Sequence, residues 1–189
     1  MDSVAILSEF LARGVFGVLI GSICDAEVVA LANSAGVGGV IEDFELGGKT
    51  DALHGPSLRV QRAKVVSQSD GDYTLEGAMM TGSKLSCGPT AVLELPSPDG
   101  VASSTVVVCS WRQQILDPCI LRGQGQEPTD FDYVVLKSAV HFRSNFTELA
   151  GAIVEVTGPG IHSSRMTDFV YKKVARPLWP LDANDGAKL

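Results

Sequence analysis

The sequence predicts a mixed α/β fold, a βαβ-type layer with a β-rich, hairpin-containing middle. Three observations carry this. Residues 1–46 alternate helical periodicity with short apolar runs, residues 56–110 break into β-branched stretches punctuated by Asp-Gly and Pro-Asp-Gly, and residues 133–156 read strand, helix, strand.

Asp2-Ser3 can cap a first helix in which Ile6, Leu7, Phe10 and Leu11 share one face, with Gly14 as its left-handed stop. Val15 to Ile20 is a short apolar run suited to a strand covered on both faces. Asp25 then caps a second helix carrying Val28, Val29, Leu31, Ala32 and Ala35, which Gly36 ends, and Val37 to Leu46 is extended. In the middle, strands are expected at Leu58–Val66, Tyr73–Leu75, Lys84–Cys87, Thr90–Leu95 and Ser104–Ser110, with turns at Ser69-Asp70-Gly71-Asp72 and Pro96–Gly100. A βαβ unit should come next: strand Tyr133–Leu136, helix Ser138–Ala150 with Phe142, Phe146 and Leu149 on one face, strand Ala152–Val156. Phe169–Val174 reads as one more strand. The prolines of Arg176-Pro177-Leu178-Trp179-Pro180 call for extended backbone, and the last seven residues read as a disordered tail.

Composition narrows the function classes. The chain has 189 residues, 45% of them hydrophobic, with 15 Lys+Arg against 22 Asp+Glu, so one sizeable core needs no disulfide framework. A net charge of −7 without any clustered basic window argues against nucleic acid as a partner. Residues 1–95 hold 6 basic and 12 acidic side chains, residues 96–189 hold 9 and 10, so an anion-binding surface belongs in the second part. The longest apolar stretch, Gly14–Cys24, is too short for a bilayer span. Met1-Asp2-Ser3 has no basic leader region, so the expectation is a cytoplasmic chain with reduced cysteines, in which the Asn145-Phe146-Thr147 sequon is a chance match.

Several motifs fail on inspection. Gly48-Lys49-Thr50 ends like a phosphate-binding loop, yet Asp43 occupies the position of its first glycine. Gly36-Val37-Gly38 opens like a dinucleotide fingerprint but follows a helix and lacks the third glycine at Ile41. His54, His141 and His162 have no metal-ligand spacing, and Cys24, Cys87, Cys109 and Cys119 sit singly, so no metal site is expected within the chain.

Three constellations survive. At Leu136-Lys137-Ser138-Ala139-Val140-His141-Phe142-Arg143 a strand turns directly into a helix, the place where α/β sheets bind ligands. If Ser138 is the N-cap, then Lys137, the Ser138 hydroxyl and a neutral His141 in the first turn converge on a spot that favours an anion or a carbonyl oxygen. The same residues also fit a locally capping histidine with Lys137 and Arg143 solvated. The second constellation is Gly47-Gly48-Lys49-Thr50-Asp51 with His54-Gly55-Pro56, a tight polar loop whose glycines permit close backbone approach to another surface, or a plain charged turn. The third is Ser110-Trp111-Arg112-Gln113-Gln114 at a strand end, where a guanidinium and two amides could read a polar substrate or serve structure.

These stretches resemble, in order, the C-terminal domain of the microcystinase C (MlrC) family of metallopeptidase-like hydrolases. The resemblance runs from about Leu7 to Asp182, with residues 1–182 as one domain and 183–189 as the tail. It rests on Leu46–Asp51 with His54-Gly55-Pro56, Gly88-Pro89-Thr90-Ala91-Val92, Arg112-Gln113-Gln114 with Asp117-Pro118, Val135–Ser138 with His141-Phe142-Arg143, and Arg176–Asp182. It implies a two-domain enzyme, acting on peptides or amides such as linearised microcystin, whose N-terminal domain supplies the zinc ligands. That domain, and an Asp-Asn-Pro-Gly type segment ahead of the first helix, are absent here. The chain would then bind no cofactor alone and lack competence in isolation. His141 and Lys137 would be catalytic, with Lys49, His54, Arg112, Gln113, Ser138 and Arg143 substrate-binding. The competing expectation is a non-catalytic interdomain or oligomerisation module, homo-oligomer included, or a truncated remnant.

Overall fold

The structure, a computed structural model, describes residues 2–161, 163 and 165–182. Its centre is a six-stranded mixed sheet in the order β2-β3-β6-β7-β1-β8. The strands are β1 (Val18–Cys24), β2 (Val40–Leu46), β3 (Leu58–Ser69), β6 (Thr90–Pro96), β7 (Ser103–Cys109) and β8 (Tyr133–Leu136). Short strands β4 (Asp72–Thr74) and β5 (Lys84–Ser86) form a separate hairpin. The helices are α1 (Ala5–Ala12), α2 (Ala26–Ala35), and the single turns α3 (Cys119–Arg122) and α4 (Arg143–Phe146).

Strand β1 pairs in parallel with both β7 and β8, whereas β7, β6, β3 and β2 pair antiparallel in series. Period-two alternation divides the central side chains between two cores. Ala91, Leu93, Val106, Val108, Val18 and Ile20 face α1 and α2. Val92, Val107, Cys109 and Leu19 face the β4–β5 hairpin, α3 and Phe146 of α4. Burial on both faces explains why Val18-Leu19-Ile20 and Val106-Val107-Val108 are continuous apolar runs.

The first half of β3 pairs with β2 and its second half with β6, with a register break between Val65 and Ser67. The tip of this β2–β3 arm returns to the start of α2, because Gly47 N donates to the Asp25 carboxylate at 2.9 Å. As expected, Asp25 caps α2 by accepting from Val28 N, and Gly36 closes it at φ 74°. Asp2 and Ser3 do not cap α1. Val4 stands at the N-cap, and the Asp2 carboxylate reaches instead to Lys49 N and Thr50 N at 3.1 and 2.8 Å.

The second half departs from expectation in three places. The helix foreseen over Ser138–Ala150 is a single turn, Arg143–Phe146. Phe146 is buried as its periodicity implied, but Ser144 and Thr147 hydroxyls bond the carbonyls of His141 and Arg143, and Asn145 Nδ2 donates to Leu116 O. Such side chains compete with the helical backbone ladder. Ala152–Val156 and Phe169–Val174 form no strands. Val154, Val156 and Val170 are exposed, and an apolar run without a ladder partner does not hold as a strand. The expected βαβ unit is therefore absent, and β8 pairs with β1 in its place. The proline-rich segment bends: Arg176–Pro177 and Trp179–Pro180 are cis, and the Asp182 carboxylate accepts from the Arg176 guanidinium and from Leu178 N. The tail assigned to residues 183–189, and His162, lie outside the described residues.

Candidate functional site

Neighbouring parallel strands β1 and β7 send their connections to opposite faces of the sheet. The α2 crossover after β1 packs into the first core through Val28, Val29 and Ala32, whereas the α3 crossover after β7 packs into the second through Cys119, Ile120 and Leu121. Diverging connections beyond the carboxyl ends of two neighbouring parallel strands mark the usual ligand position in such sheets. Asp25 leaves β1 there, and the segment 110–114 leaves β7 there, running across the end of β1 with Cys24 Sγ donating to Ser110 O and Ser22 Oγ to Gln113 O. Lys137 and Ser138 come directly after the end of β8.

The loop between β2 and β3 closes one side. Gly47 and Gly48 adopt φ +61° and +63°. A Cβ on Gly47 would lie 2.3 Å from Asp2 O, and one on Gly48 2.4 Å from Ser57 N, which is the close approach the glycine pair foreshadowed. Asp2, 1% exposed, draws the loop in through its carboxylate and through Asp2 O, which accepts from Gly48 N at 2.8 Å. Burial alone would raise the Asp2 pKa, yet the Thr50 hydroxyl and backbone N–H, with the His54 charge, bring it below the ordinary carboxylate value. His54 is buried, with Nδ1 2.9 Å from Asp51 Oδ1 and 3.8 Å from Asp2 Oδ1.

Lys49 turns its ammonium to two carboxylates at the start of α2. Its Nζ lies 3.0 Å from Asp25 Oδ2 and 2.8 Å from Glu27 Oε2. Burial opposes its charge, but the Glu27 and Asp25 carboxylates outweigh that and hold its pKa above the usual lysine value. Beside it, the Arg112 guanidinium donates to Thr50 Oγ1 at 2.5 Å. Lys137 Nζ donates to Ser3 O, and burial pulls its pKa down to about 8 in spite of the Asp2 charge. The fourth group is Gln114, whose Nε2 donates to Ser138 Oγ at 2.5 Å and whose Oε1 lies 3.4 Å from His141 Nδ1; Ser138 Oγ also accepts from Phe142 N at 3.3 Å.

Lys49, His54, Arg112, Lys137, Ser138 and His141 thus gather at one end of the sheet in two linked sets, one tied through Asp2-Ser3 and one through Gln114. Gln113 takes part through its backbone carbonyl. Arg143 does not join them: its guanidinium pairs with Glu155 at 2.5 Å and sits 5.3 Å over the Phe142 ring. His141 is exposed and precedes a four-residue turn, so the helix N-terminus expected to surround it is missing. Asp2 and Asp25, the carboxylates that organise the site, escape sequence reasoning because both read as helix caps. Gln114 stands out in sequence only as part of its strand end.

Among the described residues no three His, Cys, Asp or Glu side chains stand together as metal ligands. No helix of the described chain is long and apolar enough to cross a membrane. An apolar groove of about 410 Å³, lined by Ile6, Phe10, Tyr133 and Pro159 among others, lies at the opposite end of β8.

Comparison with known proteins places this arrangement in context. Residues 1–173 match the family model described as the MlrC C-terminus. Microcystinase C from Sphingomonas sp. is 28% identical over 184 residues, which is 96% of this chain and 32% of that protein. The crystal structure of a Mesorhizobium sp. BNC1 protein that carries the provisional name metallopeptidase superposes with a TM-score of 0.76 at 23% identity, covering 98% of this chain and 35% of the other, and shows that the fold is shared. The chain spans about a third of the length of these proteins. With nearly its whole length matched in sequence, the chain belongs to the MlrC family and corresponds to its C-terminal part.

Proposed function

We propose that residues 1–182 form the substrate-side domain of a peptide or amide hydrolase, completed by an N-terminal part like that which makes the MlrC relatives about three times longer. The observation that carries this is the convergence of Arg112, Lys137 and the Gln114–Ser138–His141 set beyond the parallel strand ends, at the point where the crossovers diverge.

Each group has a distinct task. The Arg112 guanidinium, steadied by Thr50, offers a fork of N–H donors suited to a substrate carboxylate or carbonyl. Lys137, with a pKa of about 8, is an amine that can carry charge opposite a developing oxyanion or release a proton near neutral pH. His141, whose Nδ1 meets Gln114 Oε1, keeps its other ring nitrogen as donor or acceptor according to tautomer. Lys49, His54 and Asp2 position the loop that carries Thr50, and Lys49 is the weaker candidate for substrate contact because two carboxylates already hold its ammonium. The zinc that the family resemblance implies does not fit a donor set among the described residues, so its ligands would come from the N-terminal part.

The test is kinetic. In the full-length protein, Lys137→Ala or His141→Ala lowers turnover at least about tenfold with the fold intact. Unchanged kinetics would strike both residues from the site, and stoichiometric metal with peptide turnover in this chain alone would overturn the two-part reading. A second reading, an interdomain or oligomerisation module, draws support from Val154, Val156, Val170 and Trp179, which leave apolar surface open after β8.

A further inference from the structure

One large apolar side chain in the segment that leaves β7 has no part in the substrate-side wall of Arg112, Lys137 and His141. Trp111 follows β7 and is 58% exposed, yet it is firmly seated. Its backbone N–H donates to Cys87 O at 2.8 Å, and its carbonyl accepts from Cys109 Sγ at 3.1 Å. Both neighbours are buried. The indole lies across Gly88, whose φ is +64°; a Cβ there would stand 2.7 Å from Trp111 Cδ2 and 2.9 Å from Cγ and Cε2. One ring face therefore rests on bare backbone that only glycine leaves room for, while more than half the side chain stays open to solvent. The indole is held still and left uncovered, so a partner docking on it orders little further side-chain motion.

Its neighbour supplies the second half of a binding unit. Arg112 follows it in the segment that leaves β7 and turns to Thr50, so an exposed indole face and a cation stand on consecutive residues. We propose that Trp111 is an apolar subsite, taking the aromatic or branched side chain of a peptide whose carboxylate or carbonyl group is held by Arg112. The inference rests on the substrate-side reading and deepens it by naming the side-chain class.

Trp111 and Trp179 are the two tryptophans of the chain, so their indole N–H resonances are separable and are assigned with Trp111→Phe. The chain is titrated with N-acetylphenylalanine, N-acetylglycine and acetate while the Trp111 indole and Arg112 signals are followed. N-acetylphenylalanine is expected to shift both and to bind at least fivefold more tightly than N-acetylglycine, with acetate moving Arg112 alone. Trp111→Ala, or Gly88→Ala, which forces the ring from its seat, should bring that ratio close to one with the remaining spectrum retained. If one of these variants fails to fold, the other is read by the same ratio. Equal affinities in the parent chain, or a ratio that survives loss of the indole, overturn the subsite and leave the anion-holding wall intact. No response at Arg112 to any of the three removes the wall as well.

Discussion

At the scale of single residues, Lys137 gives the clearest test, because burial sets its pKa near 8 against an ordinary 10.5. Below pH 8 the folded and unfolded chains both hold the proton, and its burial penalty is fully present. Between 8 and 10.5 the unfolded chain binds more protons, so this residue's contribution makes stability rise with pH through that window. The experiment is a difference, because burial also raises the thiol pKa values of Cys24 and Cys119, the latter to about 12, and their ionisation on unfolding lowers stability from about pH 9 upward. Subtracting the denaturant profile of Lys137→Met from that of the parent should leave a positive slope between pH 8 and 10.5. A flat difference would show that the amine is solvated. Residue types at the site were legible because Arg, Lys, His and Gly mark chemistry wherever they occur. Their pairings were not, since a carboxylate such as Asp2, contacting a loop 47 positions further on, is silent in sequence.

Among the elements, α2 shows how a cap becomes part of a site. The Asp25 side chain accepts from Val28 N, Gly47 N and Lys49 Nζ, joining the helix start, the β2–β3 loop and a cation at one buried point. Asp25→Ala removes the cap, worth about 1 kcal/mol, and strands a buried N–H, costing about 1–3 kcal/mol more. A fall of about 2–4 kcal/mol in unfolding free energy is expected from urea titration. Asp25→Asn, which keeps an acceptor oxygen, should recover part of it. A loss under about 1 kcal/mol would mean that the three contacts are not mutually dependent. The strands β1, β6 and β7 were readable because covered strands carry dense apolar and β-branched runs, and β3 because turns rich in Gly, Asp and Pro bound it. The helix expected over Ser138–Ala150 fails because Phe142, Phe146 and Leu149 mark a buried face equally well on an irregular segment. A period of three or four cannot report that Ser144, Asn145 and Thr147 bond elsewhere.

For the molecule as a whole, all eight strands of the described residues precede residue 137, and the described residues beyond 150 add to neither sheet. The later segment touches the body where Pro159 approaches Gly55 and beside the groove along α1. Further along, Arg165, Lys172 and Lys173 are exposed and outside regular structure. Segments with few buried contacts open at low free-energy cost, and proteases report that opening. Brief trypsin treatment is therefore expected to cut after Arg165, Lys172 or Lys173 before any site in residues 1–150, leaving a core whose far-UV circular dichroism per molecule is little changed. First cleavage at Arg59 or Arg62, both in β3, would contradict the assignment of stability to the sheet. The same experiment on a protein that carries the proposed N-terminal part tests whether this segment joins the two. If the open apolar side chains Val154, Val170 and Trp179 dock against the N-terminal part, cleavage after Arg165 slows by an order of magnitude or more. If cleavage there is as fast as in the isolated chain, this segment plays no part in the proposed contact with an N-terminal part.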